Sequence, residues 1–270
     1  MKYLDSTNLI GLSTYLDRLD CGDSILNGIL ESYSCKFAGS DKKLYKSLDK
    51  ELETQYSSSL DAHHGSTSGS SVSSSTQHHL SNHLLQSASF SESNVNGGLS
   101  ISPFGPLTSS AGRKTMIYLI STLNACFVDY DFSNTRPEQF RKESNLSMVM
   151  NSINTTLQSI MPTFKNELQE RLWSSIDNEI ALTKTDIYSF IPESPDPFTE
   201  AGVIWSFNYF FYNRTMKRII FFSCRLLNKA LEMSNNRERM TMSASDDEDD
   251  VLDYDNDDYS NAVVDDMELN

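Results

Sequence analysis

Ile204-Trp-Ser-Phe-Asn-Tyr-Phe-Phe-Tyr212, then Asn213-Arg-Thr215, then Met216-Lys-Arg-Ile-Ile-Phe-Phe-Ser-Cys-Arg225 is the stretch that decides the fold. Two runs rich in aromatic and β-branched residues flank a gap of hairpin length, so they read as two antiparallel strands. Trp205, Phe207, Tyr209 and Phe211 share one face of the first run, while Phe210 and Tyr212 occupy the other. A strand with one wet face alternates apolar with polar residues, whereas one with large aromatics on both faces must be covered twice. The hairpin is therefore expected at the centre of a sheet with helices on both sides.

The sequence supplies those helices. Ser144 is placed to cap one that carries Leu146, Val149, Met150, Ile153, Leu157, Ile160 and Met161 at helical spacing until Pro162 stops it. Thr163 is placed to cap another, with Phe164, Leu168, Leu172, Trp173 and Ile176 on one face, and Lys114 to Phe127 carries Met116, Ile120, Leu123 and Phe127 in a stripe. Asp186 to Phe190 is a short strand-like segment. Nearer the N-terminus, Ser6 heads a helix to about Leu19 with Leu9, Leu12 and Leu16 aligned. Residues 29 to 37 alternate as a half-buried strand, and Ser40 or Asp41 begins a helix with Leu44, Leu48 and Leu52. The expected class is α+β, a single domain whose central, mainly antiparallel sheet of about five strands is covered by helices.

Composition divides the chain of 270 residues further, because its hydrophobic share of 38% is low for a globular protein. Residues 57–112 hold nineteen serines and no Lys or Arg, and residues 244–270 hold twelve acids and no base. Neither stretch can bury enough apolar area to offset its ordering entropy, so a disordered Ser-rich linker and a disordered acidic tail are expected. The domain would then be assembled from residues 1–56 and 113–243. Outside those two stretches 22 bases face 23 acids, so the net charge of −15 belongs to the tail and not to the fold.

Several function classes fall away. No apolar run has the length of a membrane span, and Asp5 and Asp17 interrupt any signal-peptide core, so a soluble intracellular protein without membrane contact is expected. Cys21, Cys35, Cys126 and Cys224 lack the paired spacing of a zinc site or disulfide framework. All five histidines, His63, His64, His78, His79 and His83, fall in the Ser-rich stretch, which leaves His-based catalysis no place in the domain. We expect no cofactor and no bound metal, with an enzyme holding a metal on Asp129 and Asp131 as the third-ranked alternative.

Three regions carry candidate chemistry. Asp129-Tyr130-Asp131 sets two carboxylates on one side of an extended segment, a weak pattern for a divalent cation and a common one for turn capping. Arg214, Lys217 and Arg218 cluster at the hairpin turn beside aromatics, which suits a protein-binding basic spot, edge protection, or a module that stacks single-stranded RNA on Phe207, Tyr209 and Phe211. Burial of those rings would remove the RNA reading. Sequence-specific DNA binding is not expected, since the chain has no basic surplus. Ser243 and Ser245 precede Asp246, Asp247 and Glu248, a context for an acid-directed kinase, and Ser100 with Ser102-Pro103 suits a proline- or hydrophobic-directed one. The linker also reads as an inert spacer, and the tail, with apolar residues such as Val251, Leu252 and Tyr254 among its acids, as a solvated segment or a partner-binding one.

Glu31-Ser-Tyr-Ser-Cys-Lys36 followed by Ala38-Gly39, Asp129-Tyr-Asp-Phe-Ser133, and Trp205 to Asn213 continuing to Lys217-Arg218 together resemble the Maf-one repressors of RNA polymerase III transcription. Lys114-Thr115, Tyr118 to Asn124, Asp186-Ile-Tyr-Ser189, Asp196-Pro-Phe198 and Phe221-Phe-Ser-Cys-Arg225 fit the same family in the same order. The resemblance implies a non-enzymatic negative regulator that binds the clamp and initiation subunits of RNA polymerase III and blocks docking on its initiation factor. It further implies control by nutrient-responsive kinases, shuttling between nucleus and cytoplasm, and a role in nuclear import for Arg214, Lys217 and Arg218. Val128 stands where the family usually has Pro, and the linker lacks the basic residues some relatives carry.

Overall fold

The computed structural model describes residues 1–37, 39–64, 102–165, 168–193 and 195–231. The expected linker between 65 and 101 and the acidic tail lie outside the described residues. A seven-stranded antiparallel sheet forms the centre, from β1 (Lys2–Leu4), β2 (Leu19–Asp20), β3 (Ser24–Ser34), β4 (Phe140–Glu143), β5 (Asp186–Phe190), β6 (Val203–Asn213) and β7 (Arg218–Asn228). Their order is β1, β3, β7, β6, β5, β4, with β2 also paired to β3. The expectation of about five strands was low because β1, β2 and β4 have three, two and four residues, too few to show a period-two pattern.

The hairpin of β6 and β7 is central, with Asn213 opposite Arg218 and Phe207 opposite Cys224. β7 in turn pairs with β3 over eleven residues, Ser24 opposite Asn228 and Ser34 opposite Arg218. β3 thus starts five residues before the strand expected at 29–37 and ends before Phe37. Asn27 and Gly28 hide its first half, and Gly28 is there for packing. A Cβ on it would lie 2.5 Å from the Leu16 Cβ, so only glycine lets helix α1 (Thr7–Leu16) sit on the strand. Helix α1 stops three residues earlier than expected, where Arg18 turns left-handed at φ 52° and β2 begins.

The two faces of the hairpin carry two cores. Phe211, Ile220, Phe222 and Cys224 join Leu9, Leu12 and Leu16 of α1, Val149, Ile153 and Leu157 of α4 (Leu146–Ile160), and Leu172, Trp173 and Ile176 of α5 (Leu168–Ile180). Phe210, Tyr212, Ile219 and Phe221 join Leu48 and Leu52 of α2 (Ser40–His64) and Met116, Ile117, Ile120 and Leu123 of α3 (Ser110–Cys126). Two helix caps differ from expectation. Asn145, not Ser144, accepts from the Met148 N–H and caps α4, and Pro162–Lys165 forms a 3-10 turn, so α5 starts only at Leu168. Phe164 of that turn is nevertheless fully buried.

The linker boundaries also move inward at both ends. Helix α2 continues to His64, and residues 102–112 belong to the domain. Their Ser, Gly and Pro content reads as linker, but two turns place Phe104 and Leu107 in the second core. Gly112 of α3 seats this segment, since a Cβ there would lie 2.7 Å from the Pro106 carbonyl oxygen. Arg113 then clasps the two sequence pieces together. Buried at 4% exposure, it pairs with Asp49 of α2 at 2.7 Å and donates to the Leu107 and Thr108 carbonyls at 3.2 and 2.9 Å.

Candidate interaction surface

Pairing of β3, β7 and β6 brings Ser34, Arg218 and Asn213 into one row at the hairpin end of the sheet. Arg214, Thr215, Met216 and Lys217 form the turn beyond it, longer by a residue than the loop expected. The Asn213 carboxamide oxygen accepts the Met216 N–H at 3.0 Å, and its nitrogen donates to the Ile180 carbonyl at 2.8 Å. That second bond ties the C-terminal end of α5 to the hairpin. Lys217 is left-handed at φ 53°, a conformation that disfavours side chains with a Cβ, and its carbonyl accepts the Cys35 N–H at 2.9 Å.

The three predicted bases do not behave alike. Arg214 Nε lies 2.7 Å from Asp186 Oδ2, and Lys142 Nζ lies 2.8 Å from the other oxygen of the same carboxylate. Burial alone would push the Asp186 carboxyl up, but hydrogen bonds from Lys142 and Arg214, with their charges, outweigh it and hold the group below its ordinary value. Arg218 Nη1 meets both the carboxylate and the carbonyl of Glu179, at 2.5 and 2.8 Å. Lys217 is exposed and has no ion pair among the described residues. Lys142 and Glu179 carry no signal in the sequence, and Asp186 is marked there only as the start of a strand-like segment and motif, not as a partner of these bases. Their partners lie 28 to 44 residues away, so no local pattern marks the pairing.

Asp129, Tyr130 and Asp131 form a corner elsewhere. The Tyr130 hydroxyl donates to the Glu200 carboxylate, which also lies 3.7 Å from Arg225 of β7. Arg225 donates to the Pro197 carbonyl at 2.6 Å and sits over the Phe127 ring. Asp131 Oδ1 accepts the Ser133 N–H at 2.9 Å, and hydrogen bonds from the Ser133 side chain and backbone hold its carboxyl below the ordinary value. Asn124 accepts the Phe132 N–H at 2.7 Å, seating Phe132 in the core. Asp129 and Asp131 are both exposed, and no cluster of three metal-ligating side chains occurs among the described residues. The corner therefore turns its polar groups to holding a loop against β7. Val128 is 82% exposed.

A second surface is apolar. Trp205, Phe207 and Tyr209 project from β6 as a ladder, with the first two rings stacked at 6.0 Å and 9°. They are half-buried against the first core, and Phe207 meets Phe222 edge-on. β5 pairs with β6 only from Ser189 opposite Tyr209 onward, so residues 203–208 have β7 on one side and no further strand among the described residues. Of the three rings on which the RNA reading stacks bases, Phe211 is fully buried, while Phe207 and Tyr209 are half-buried against the first core, so the burial that would remove that reading is met at one ring and only in part at two. Phe211 and Tyr212, beside the bases, are buried, whereas Trp205 lies nine residues from Arg214, roughly 30 Å along an extended strand.

The modification candidates separate too. Ser102 is 8% exposed and its hydroxyl accepts the Phe104 N–H at 3.2 Å, so a kinase would reach it only after the segment opens. Ser100, Ser243 and Ser245 lie outside the described residues. A groove of about 300 Å³ between α2 and residues 133–138, lined by Leu52, Tyr56, Met116, Ile120 and Pro137, contains none of the predicted residues.

Known proteins supply the remaining evidence. The family model described as "Maf1 regulator" matches residues 26–223. The chain is 44% identical over 278 residues to a Dictyostelium discoideum protein named "Repressor of RNA polymerase III transcription", covering 100% of both chains. It is 32% identical over 237 residues to the Schizosaccharomyces pombe repressor of RNA polymerase III transcription maf1, covering 87% of each. A crystal structure of citrus MAF1 superposes with a TM-score of 0.53 at 29% identity, over 83% of this chain and 98% of that one.

Proposed function

This chain belongs to the Maf1 regulator family, and from that premise we propose that it is a negative regulator of RNA polymerase III transcription that binds the polymerase and blocks initiation. The observation that carries the reading is the 44% identity to a named repressor across the full length of both chains. The arrangement of surface groups suits binding better than chemistry. A basic rim at the hairpin end and a half-buried aromatic ladder offer, respectively, electrostatic steering and rigid apolar anchors, the two elements from which protein interfaces draw rate and affinity. No side chain on either surface is arranged as an activated nucleophile beside a base, and in this reading the protein is not an enzyme.

The partners in this account are the clamp and initiation subunits of RNA polymerase III and its initiation factor. Phosphorylation by nutrient-responsive kinases in the linker, and by an acid-directed kinase at Ser243 and Ser245, controls the repressor. It shuttles between nucleus and cytoplasm with that modification. The test combines purified, unphosphorylated full chain with purified RNA polymerase III, with RNA polymerase II as control, and reads promoter-dependent transcription in parallel. Selective binding with loss of initiation is expected. Equal binding to both polymerases, or binding without loss of initiation, overturns the proposal.

A further inference from the structure

The hairpin end concentrates basic charge. Lys36, Lys142, Lys184, Arg214, Lys217 and Arg218 meet there, against Asp186 and Glu179 alone in the ion pairs they make. Lys36 follows Cys35, which is hydrogen-bonded to the Lys217 carbonyl, and Lys184 stands two residues before Asp186. Nearby Glu143 is taken by Arg141 at 2.9 Å and by the Ser189 hydroxyl at 2.6 Å. Asp177, whose carboxylate accepts the Leu182 N–H in the turn that carries Lys184, is a third acid, so six bases face three acids and leave a surplus of three. Elsewhere Arg113, Arg136 and Lys229 are ion-paired and Lys50 of α2 lies between Asp49 and Glu51, whereas Lys42, Lys43 and Lys46 form a smaller basic group in the first turns of that helix. An apolar spot completes the rim, since Met216 in the turn is 45% exposed. A lysine also holds the left-handed position at 217, where glycine would be less strained and would add no charge.

We propose that the acidic C-terminal segment of the same chain, residues 244–270, docks on this hairpin end. Its twelve acids and absence of bases complement the rim's surplus, and apolar residues such as Val251, Leu252 and Tyr254 among the acids match the exposed Met216. The connection is long enough. β7 runs away from the hairpin for eleven residues, roughly 35 Å, and Ala244 is thirteen chain steps beyond Leu231, an extended reach of about 43 to 47 Å. Attachment to the same chain raises the segment's effective concentration at the rim to about the millimolar range, so weak screened contacts suffice to populate the docked state. This docking does not depend on the polymerase reading, because both partners are in this chain.

The test is zero-length carbodiimide coupling on the full chain, which joins lysine amines to adjacent carboxylates, followed by mass spectrometry. A mixture of 15N-labelled and unlabelled protein separates coupling within a chain from coupling between chains. Amides from Lys36, Lys184 and Lys217 to residues 246–268 within single chains are expected, falling at least about fivefold between roughly 50 mM and 0.5 M salt as the charges are screened. The Lys142–Asp186 amide is the internal control for a folded rim. In the double variant Lys36→Glu, Lys217→Glu, whose substituted positions are exposed, coupling of the acidic segment to Lys184 should drop about threefold or more while the control amide persists. Coupling of the segment spread evenly over Lys114, Lys165 and the lysines of α2 overturns the proposal. So does coupling found only between chains, or coupling at Lys184 unchanged in the double variant.

Discussion

The Asp129–Ser133 corner and the hairpin end look alike as sequence, each a short charged motif beside aromatics, and the fold uses them in opposite ways. At the corner, Tyr130 and Arg225 both meet Glu200, Arg225 also bonds the Pro197 carbonyl, and Asp131 bonds within its own turn, so these polar groups tie a loop to β7. At the hairpin end, Asp186 and Glu179 neutralise some of the bases, and Lys217 is left pointing to solvent from a strained backbone position. A motif shared by a family therefore carries two kinds of information. One kind preserves the fold that presents a surface, and the other makes the surface.

If that division is right, substitutions at the corner act on stability and those at the rim act on binding. The largest effect is expected for Phe127→Ala, which empties a buried ring position beneath Arg225 and should cost about 3 to 5 kcal/mol in urea unfolding. Tyr130→Phe removes only the hydroxyl bond to Glu200 and should cost about 1 kcal/mol, with circular dichroism of the folded state unchanged. Lys217→Gly should raise stability by up to about 1 kcal/mol by relieving the left-handed strain, while weakening polymerase binding at low salt. A stabilised variant with undiminished binding would break the comparison.

The smallest effect concerns protons. Asp186 titrates below its ordinary value in the folded protein, so its pairs stabilise the fold above the unfolded carboxyl value, about 3.9, and that contribution fades as pH falls through the folded value. An NMR titration of the carboxyl should show the depression in the full chain. In the variant Lys142→Ala, Arg214→Ala the value should move up, because burial is then unopposed. A value unmoved by both substitutions would mean that the rim bases do not interact with Asp186 in solution.

Legibility in the sequence followed the range of the interaction. The β6–β7 hairpin, the stripe of α4 and the two-sided cover were readable because their signals are periodic and local. Residues 102–112 were not, because two anchors, Phe104 and Leu107, are outweighed in composition by Ser, Gly and Pro and gain meaning only against α3. β4 was too short to show a period, and Gly28, just before the strand expected at 29–37, owes its place in β3 to a contact with Leu16 that lies twelve residues away. Among the candidate residues, Arg214, Lys217 and Arg218 stood out as a cluster, but Lys142, Asp186 and Glu179 reach them only through strand register. The half-exposed state of Trp205 and Phe207 depends on β5 stopping short of them, which no spacing within β6 records.

The measurement that bears most directly on the central claim is promoter-dependent transcription by purified RNA polymerase III, titrated with the unphosphorylated full chain and with a rim variant carrying Lys36→Glu, Lys184→Glu and Lys217→Glu. Repression by the native chain, with a concentration requirement raised about tenfold or more for a rim variant that unfolds normally in urea, is the predicted result. Failure of the native chain to repress, or equal repression by both proteins, would contradict the account.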